Sequence, residues 1–248
     1  MTSSTPHHVA LVTGGARRIG AAIVERLHGS GFDVAIHCNA SRDAADILAA
    51  RLNAARADSA HVLQADLAQF DRLPELVAHT IGRFGRLDAL VNNASAFFPT
   101  PLGTATPAQW DTLFASNARA PFFLAQAAAP HLRATRGAIV NLTDIHAVRP
   151  LHDHAAYVMA KGALLAGTRA LALDLAPHVR VNAVAPGAIL WPDDNANHER
   201  RDALMARTPL ARTGTAEEIA EAVRWLVQDA SYCTGQVIDV DGGRSIVG

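Results

Sequence analysis

The chain has 248 residues, half of them hydrophobic and 18% charged, with a net charge of −1. That balance excludes a disordered chain and a basic nucleic-acid binder, and the length suits one large α/β domain. Two distant cysteines, Cys38 and Cys233, exclude a disulfide framework and fit a reducing, cytoplasmic setting, and no apolar run reaches the roughly 18 residues of a membrane span.

Residues 1–6 carry no secretory pattern and read as a loose arm. His8 to Thr13 is a short apolar run ending at a glycine turn, which predicts a buried strand. The turn Gly14-Gly15-Ala16-Arg17-Arg18-Ile19-Gly20 leads into a helical pattern over Ala21 to Gly31. Strands follow at Phe32 to His37, Ala60 to Ala65 and Leu87 to Val91, with helices at Arg42 to Ala55 and Phe70 to Phe84. This βαβαβαβ alternation predicts a parallel sheet with helices on both faces. Asn92 to Pro101 breaks the pattern. Pro107 to Arg133 reads as two helices or one bent helix with Asn117 inside. A strand at Gly137 to Thr143, a long helix at His154 to Ala176 and a strand at Val179 to Val184 come next. Residues 188–212 are irregular, with a short helix expected over Glu199 to Arg207. Ala216 to Val227 is helical and Gln236 to Val240 is a seventh strand. No repeat or linker divides the chain, so residues 1–248 read as a single doubly wound α/β domain.

Three stretches carry chemistry. Tyr157 and Lys161 stand four apart on one helix face, where the ammonium is expected beside the phenol, lowering its pKa and making it a general acid. Thr13-Gly14-x-x-x-Arg18-x-Gly20 joins a strand to a helix, where glycines admit a pyrophosphate and the helix N-terminus attracts it. The second strand ends His37-Cys38-Asn39-Ala40-Ser41-Arg42, without the acid that meets an unphosphorylated ribose. Arg17 or Arg18, with Ser41 and Arg42, would suit a 2′-phosphate instead, so NADPH is expected over NADH. Asp66, followed by Leu67, is placed either to meet an adenine amino group or to cap a helix.

The sequence resembles the short-chain dehydrogenase/reductases. TGxxxRxG, Asn92-Asn93-Ala94, Asn117, Tyr157-x-x-x-Lys161 and Pro186-Gly187 stand in that family's order and spacing, from about residue 8 to Asp241-Gly242-Gly243. The resemblance implies a Rossmann-type domain with a seven-stranded parallel sheet. It implies Asn117, Tyr157 and Lys161 as the catalytic asparagine, tyrosine and lysine. The asparagine would anchor a relay water, and the lysine would hold the nicotinamide ribose. Gly14, Ile19, Gly20, Leu67, Asn93, Ala94, Pro186 and Gly187 would line the cofactor. Residues 188–212 would form a flap over the substrate, with Trp191 either covering the substrate or packing the flap down. The family is commonly tetrameric, so a homotetramer is expected.

Where that family carries a serine, thirteen residues before the tyrosine, this chain has Asp144. Thr143 is adjacent, but strand alternation sends neighbours to opposite faces, and the spacing favours Asp144. An aspartate opposes charge building on a ketone oxygen and suits protonation of a ring nitrogen. The glycine turn, the loop Asn92 to Pro101, Asp144 and Tyr157 to Leu164 together look like the pteridine reductase subgroup. That likeness implies Phe97 stacking on a pterin, Ser95 bonding the pterin or the cofactor phosphate, Arg18 facing the pterin edge, and a catalysed step from dihydropterin or dihydrofolate to the tetrahydro form. Reduction of a carbonyl such as a 3-oxoacyl thioester is the alternative. His146, His152 and His154 cluster on a loop but lack a defined ligand set, so no metal is expected.

Overall fold

In a computed structural model, which describes residues 7–189, 203 and 205–247, seven strands form one parallel sheet in the order β3-β2-β1-β4-β5-β6-β7. The strands are β1 (Val9–Val12), β2 (Asp33–Cys38), β3 (Ala60–Gln64), β4 (Ala89–Asn92), β5 (Ala138–Leu142), β6 (Arg180–Pro186) and β7 (Val237–Val240). Among the described residues the long helices are α1 (Arg18–Gly29), α2 (Arg42–Ala55), α3 (Arg72–Phe84), α4 (Pro107–Phe114), α5 (Ala120–Thr135), α6 (Ala155–Leu175) and α7 (Ala216–Gln228).

Each central strand is apolar on both faces because helices cover both. Along β1, Ala10 and Val12 join a core with α1, α2 and α7, while Val9 and Leu11 face a second core with α3, α5 and α6. A run such as Val-Ala-Leu-Val therefore cannot alternate with polar residues. Strand order reverses between β1 and β4, which are paired directly. The crevice beyond the carboxyl ends of those two strands is where an open α/β sheet takes its ligand.

The stretch expected as two helices or a bent one is resolved as α4, a single π-helical turn over Ala115–Arg119, and α5. α4 starts on a reciprocal capping box in which Thr106 and Gln109 satisfy each other's backbone N–H groups. The π-turn carries Asn117, a buried residue. Trp191, the arm of residues 1–6 and most of the helix expected at Glu199 to Arg207 lie outside the described residues; Ala203, Met205 and Ala206 are helical.

Candidate active site

The glycine turn is built against the ends of β2 and β4. The Thr13 hydroxyl accepts from Asn93 N–H at 2.9 Å and Ala94 N–H at 3.0 Å. The Asn93 amide donates back to the carbonyls of Thr13 at 2.9 Å and Gly14 at 3.1 Å. Gly14 sits at φ +61, a conformation glycine enters without strain. A Cβ on Gly20 would run into the Gly14 carbonyl and lie 2.6 Å from the Asn93 amide nitrogen, so only glycine lets α1 start this close to the turn. No side chain caps α1 and no acid lies in its first turn, leaving its positive end to an anion.

Beyond this turn lies a cleft of about 750 Å³. Gly14, Arg17, Arg18, Ile19 and Gly20 form one wall, Asn93, Ala94 and Ser95 a second, and Asp66 and Leu67 a third. Arg18 holds φ +53, unusual for a non-glycine residue and typical of ligand sites. An elongated dinucleotide fits this donor set, in which Arg17, Arg18 and a helix N-terminus suit phosphates and the Asp66 carboxylate suits an amino group. The Asp66 carboxylate also accepts from Ala68 N–H at 2.9 Å, closing its own turn.

Ser41 and Arg42, expected at the 2′-phosphate, do not line this cleft. The Arg42 guanidinium turns along α2 to Asp46, 2.8 Å away at helical i,i+4 spacing, and Ser41 makes no side-chain cap. His37 and Asn39 line the cleft instead. So do Asp111, Thr112, Ser116 and Arg119, from α4 and the π-turn. Sequence reasoning missed all six. His37 sits inside an apolar strand pattern, Asn39 directly follows that strand, and the other four positions depend on where the α4–α5 bend falls.

The second cluster stands where β5 gives way to α6. The Tyr157 hydroxyl donates to the Asp144 carboxylate at 2.6 Å. The other Asp144 oxygen accepts from His146 N–H at 2.8 Å, starting a short 3₁₀ turn over Ile145–Ala147. Thr143 is spent elsewhere, its hydroxyl donating to the Val184 carbonyl at 3.0 Å. The Asn117 amide donates to the Ala96 and Leu113 carbonyls, each at 2.9 Å, and its oxygen accepts from the Ser95 hydroxyl at 2.7 Å. The Leu113 carbonyl is four residues back, in the turn that the π-bulge widens, a feature that recurs at functional sites. Asn117 thus ties the α4–α5 bend to the loop carrying Ser95.

The expected tuning of the tyrosine is overturned. Tyr157 is pushed up from its ordinary value, first by burial, then by the charge of Asp144 and the hydrogen bond to it, with Ser95 acting the other way. The Lys161 ammonium does not reach the phenol oxygen. It donates to the Leu142 carbonyl at 2.7 Å and lies 5.9 Å from the tyrosine ring centre. Burial lowers its pKa from 10.5 to about 8, with Asp144 opposing. Helical spacing puts Lys161 on the same face but does not say which acceptor it finds; the nearby end of β5 supplied a closer one.

Phe97 is 56% exposed although its ring meets Tyr157 edge to face, with centroids 4.8 Å apart. Its flat side stacks on His154, also at 4.8 Å, with the planes 17° apart. Phe98 packs with Leu113, Ala156 and Tyr157 beneath the loop.

Pro186 ends β6, and Gly187 donates to the Val240 carbonyl at 3.0 Å. A Cβ on Gly187 would come 2.7 Å from Asp241 Cα, so the C-terminal turn rests directly on this segment. Arg149, on the loop after Asp144, donates to the Val247 carbonyl and fastens the tail to that loop. The turn carries Arg244, whose pKa is lowered by burial while Asp144 and then Asp241 push it back up. This places a cation within the field of Asp144, a feature the sequence did not reveal because it arises from three adjacent strand ends, β5, β6 and β7.

A family model described as enoyl-(acyl carrier protein) reductase matches residues 14–245. Pteridine reductase 1 of Leishmania tarentolae is 39% identical, covering 99% of this chain and 99% of its own. A 3-oxoacyl-(acyl-carrier-protein) reductase of Staphylococcus epidermidis is 35% identical, covering 94% of this chain and 97% of its own.

Proposed function

The chain belongs to the short-chain dehydrogenase/reductase family of oxidoreductases, and on that premise we propose that it is an NADPH-dependent pteridine reductase. Its substrates are a dihydropterin such as dihydrobiopterin, and dihydrofolate, each taken to the tetrahydro form. The observation that carries this reading is the 2.6 Å bond between Tyr157 and Asp144. A carboxylate beside a ketone oxygen would oppose the negative charge that builds there during reduction. Beside a ring nitrogen it favours the protonated, electron-poor form of a C=N bond. A tyrosine whose pKa is raised releases its proton to a basic nitrogen more readily than to a carbonyl oxygen.

NADPH, when bound, supplies the hydride. In this proposal Arg17 and Arg18 meet its phosphates, Asp66 its adenine, and Lys161 its ribose. Gly14, Ile19, Gly20, Leu67, Asn93, Ala94, Pro186 and Gly187 shape the wall. The Arg42–Asp46 pair is exposed, and such pairs are worth only about 0.3–0.5 kcal/mol, so Arg42 could be drawn to a 2′-phosphate at little cost. Tyr157 holds the proton, Asp144 orients it, and Asn117 with Ser95 fixes the loop over it. Phe97, with one face against His154, keeps more than half of its surface exposed beside the proton donor, where its ring would stack on a pterin.

The same proposal takes the chain as a cytoplasmic homotetramer. Phe122 on α5, Leu173 on α6 and Trp225 on α7 are large exposed apolar residues that association would cover. Among the described residues no helix is long and apolar enough to cross a membrane.

Reduction of a 3-oxoacyl thioester is the second reading, favoured by the staphylococcal relative. NADPH oxidation measured with dihydrobiopterin, dihydrofolate and an acetoacetyl thioester separates the two. Turnover of the thioester alone would reject the pterin assignment.

A further inference from the structure

His37 lies within β2, is 1% exposed, and still lines the cofactor cleft. Both ring nitrogens are engaged. Gly14 N–H donates to Nδ1 at 3.1 Å, and Nε2 stands 3.1 Å from the Ala65 carbonyl. A backbone N–H can only donate and a carbonyl can only accept. The imidazole is therefore neutral, with its one proton on Nε2. The His37 carbonyl accepts from Gly15 N–H at 2.9 Å as well, so one residue grips two consecutive glycines of the turn.

We propose that His37 is a positioning residue of the nucleotide site: its neutral ring holds the glycine turn in its binding shape, and protonation at Nδ1 releases Gly14 and weakens the cofactor. The inference does not depend on which substrate is reduced. A protonated ring would set an N–H against the Gly14 N–H, leaving one donor without an acceptor in a buried place. Burial pushes the His37 pKa below 6.5, opposed by the Ala65 carbonyl and by Asp66. The ring therefore stays neutral at neutral pH, and the effect belongs to the acid side. The other charged groups lining the cleft with it are Arg17 and Arg18 of the glycine turn and start of α1, Asp66 after β3, Asp111 of α4 and Arg119 of the π-turn. Cys38, next along β2, is buried with its thiol pushed up by burial, so it brings no charge.

The test is NADPH affinity, read by fluorescence on the full chain near pH 7.5 and near pH 5, for the wild type, His37→Asn and His37→Gln. The Asn side-chain oxygen sits where Nδ1 does and can accept from Gly14, but does not titrate. The Gln amide reaches the Nε2 position and leaves Gly14 without an acceptor. The cofactor's own phosphate titrates near 6 in all three cases, so the difference between proteins is what counts. The expected result is a wild type that loses about tenfold more affinity than His37→Asn on acidification, the scale of one hydrogen bond. His37→Gln should bind about tenfold more weakly already near pH 7.5. Equal pH dependence in wild type and His37→Asn, or normal binding by His37→Gln, overturns the proposal. If the variants do not fold, ring nitrogen NMR shifts of the wild type decide: a proton found on Nδ1 near pH 7.5 overturns it.

Discussion

Replacing Asp144 by serine restores the residue that the wider family carries, so it should move the enzyme from one chemistry toward the other. The Tyr157–Asp144 bond is short, 2.6 Å, and has one charged partner. Hydrogen bonds to charged groups contribute about 1.5–3 kcal/mol, and Asp144 is only half-buried, which places this one near the lower end. A loss of about 1.5–2 kcal/mol is a factor of about 10–30 in rate. Asp144→Ser should therefore lower kcat/KM for dihydrobiopterin by about 10–30-fold, while reduction of an acetoacetyl thioester stays level or rises. The assay is NADPH absorbance at fixed pH with both substrates, alongside NADPH binding to show that the cofactor site is intact. Equal losses on both substrates, or none on either, would refute the argument that the carboxylate selects C=N chemistry.

Phe97→Ala should raise KM for a pterin about tenfold, the scale of a lost aromatic stack, with the Kd for NADPH unchanged within error; equal changes in both would make Phe97 a structural residue. Gly20→Ala forces a Cβ onto the Gly14 carbonyl. It should cost about 1–3 kcal/mol in urea unfolding and weaken NADPH binding more than tenfold. Lys161 carries a folded pKa of about 8 against 10.5. The unfolded chain then binds more protons between those values, so stability should rise by up to ~3 kcal/mol from about pH 8 to about pH 10.5. Lys161→Met should lack that rise in chemical unfolding while losing catalysis; a variant with the same slope would show that the ammonium is not buried as described.

Much of the fold was legible because it rests on local rules. Short doubly buried strands, glycine turns and amphipathic helices alternate along the chain, and each strand appears within a residue or two of its expected place. The reductase motifs were legible for the same reason, being short segments at fixed spacing. The unread parts come from long-range geometry. His37 looks like one polar residue in an apolar strand until the glycine turn folds against it. The choice of Leu142 by Lys161 requires knowing where β5 ends. The raised pKa of Tyr157 follows from burial and from the approach of Asp144, neither of which helical spacing describes. Arg244 comes near Asp144 only because β5, β6 and β7 lie side by side.

If the substrate is a pterin, its reduced product identifies it most directly. The protein would be incubated with dihydrobiopterin and NADPH deuterated at the transferable position, and the product analysed by mass spectrometry. The expected product is tetrahydrobiopterin with one deuterium on a ring carbon, with one NADPH consumed for each product formed. Absence of tetrahydrobiopterin, from a preparation that reduces an acetoacetyl thioester under the same conditions, would contradict it.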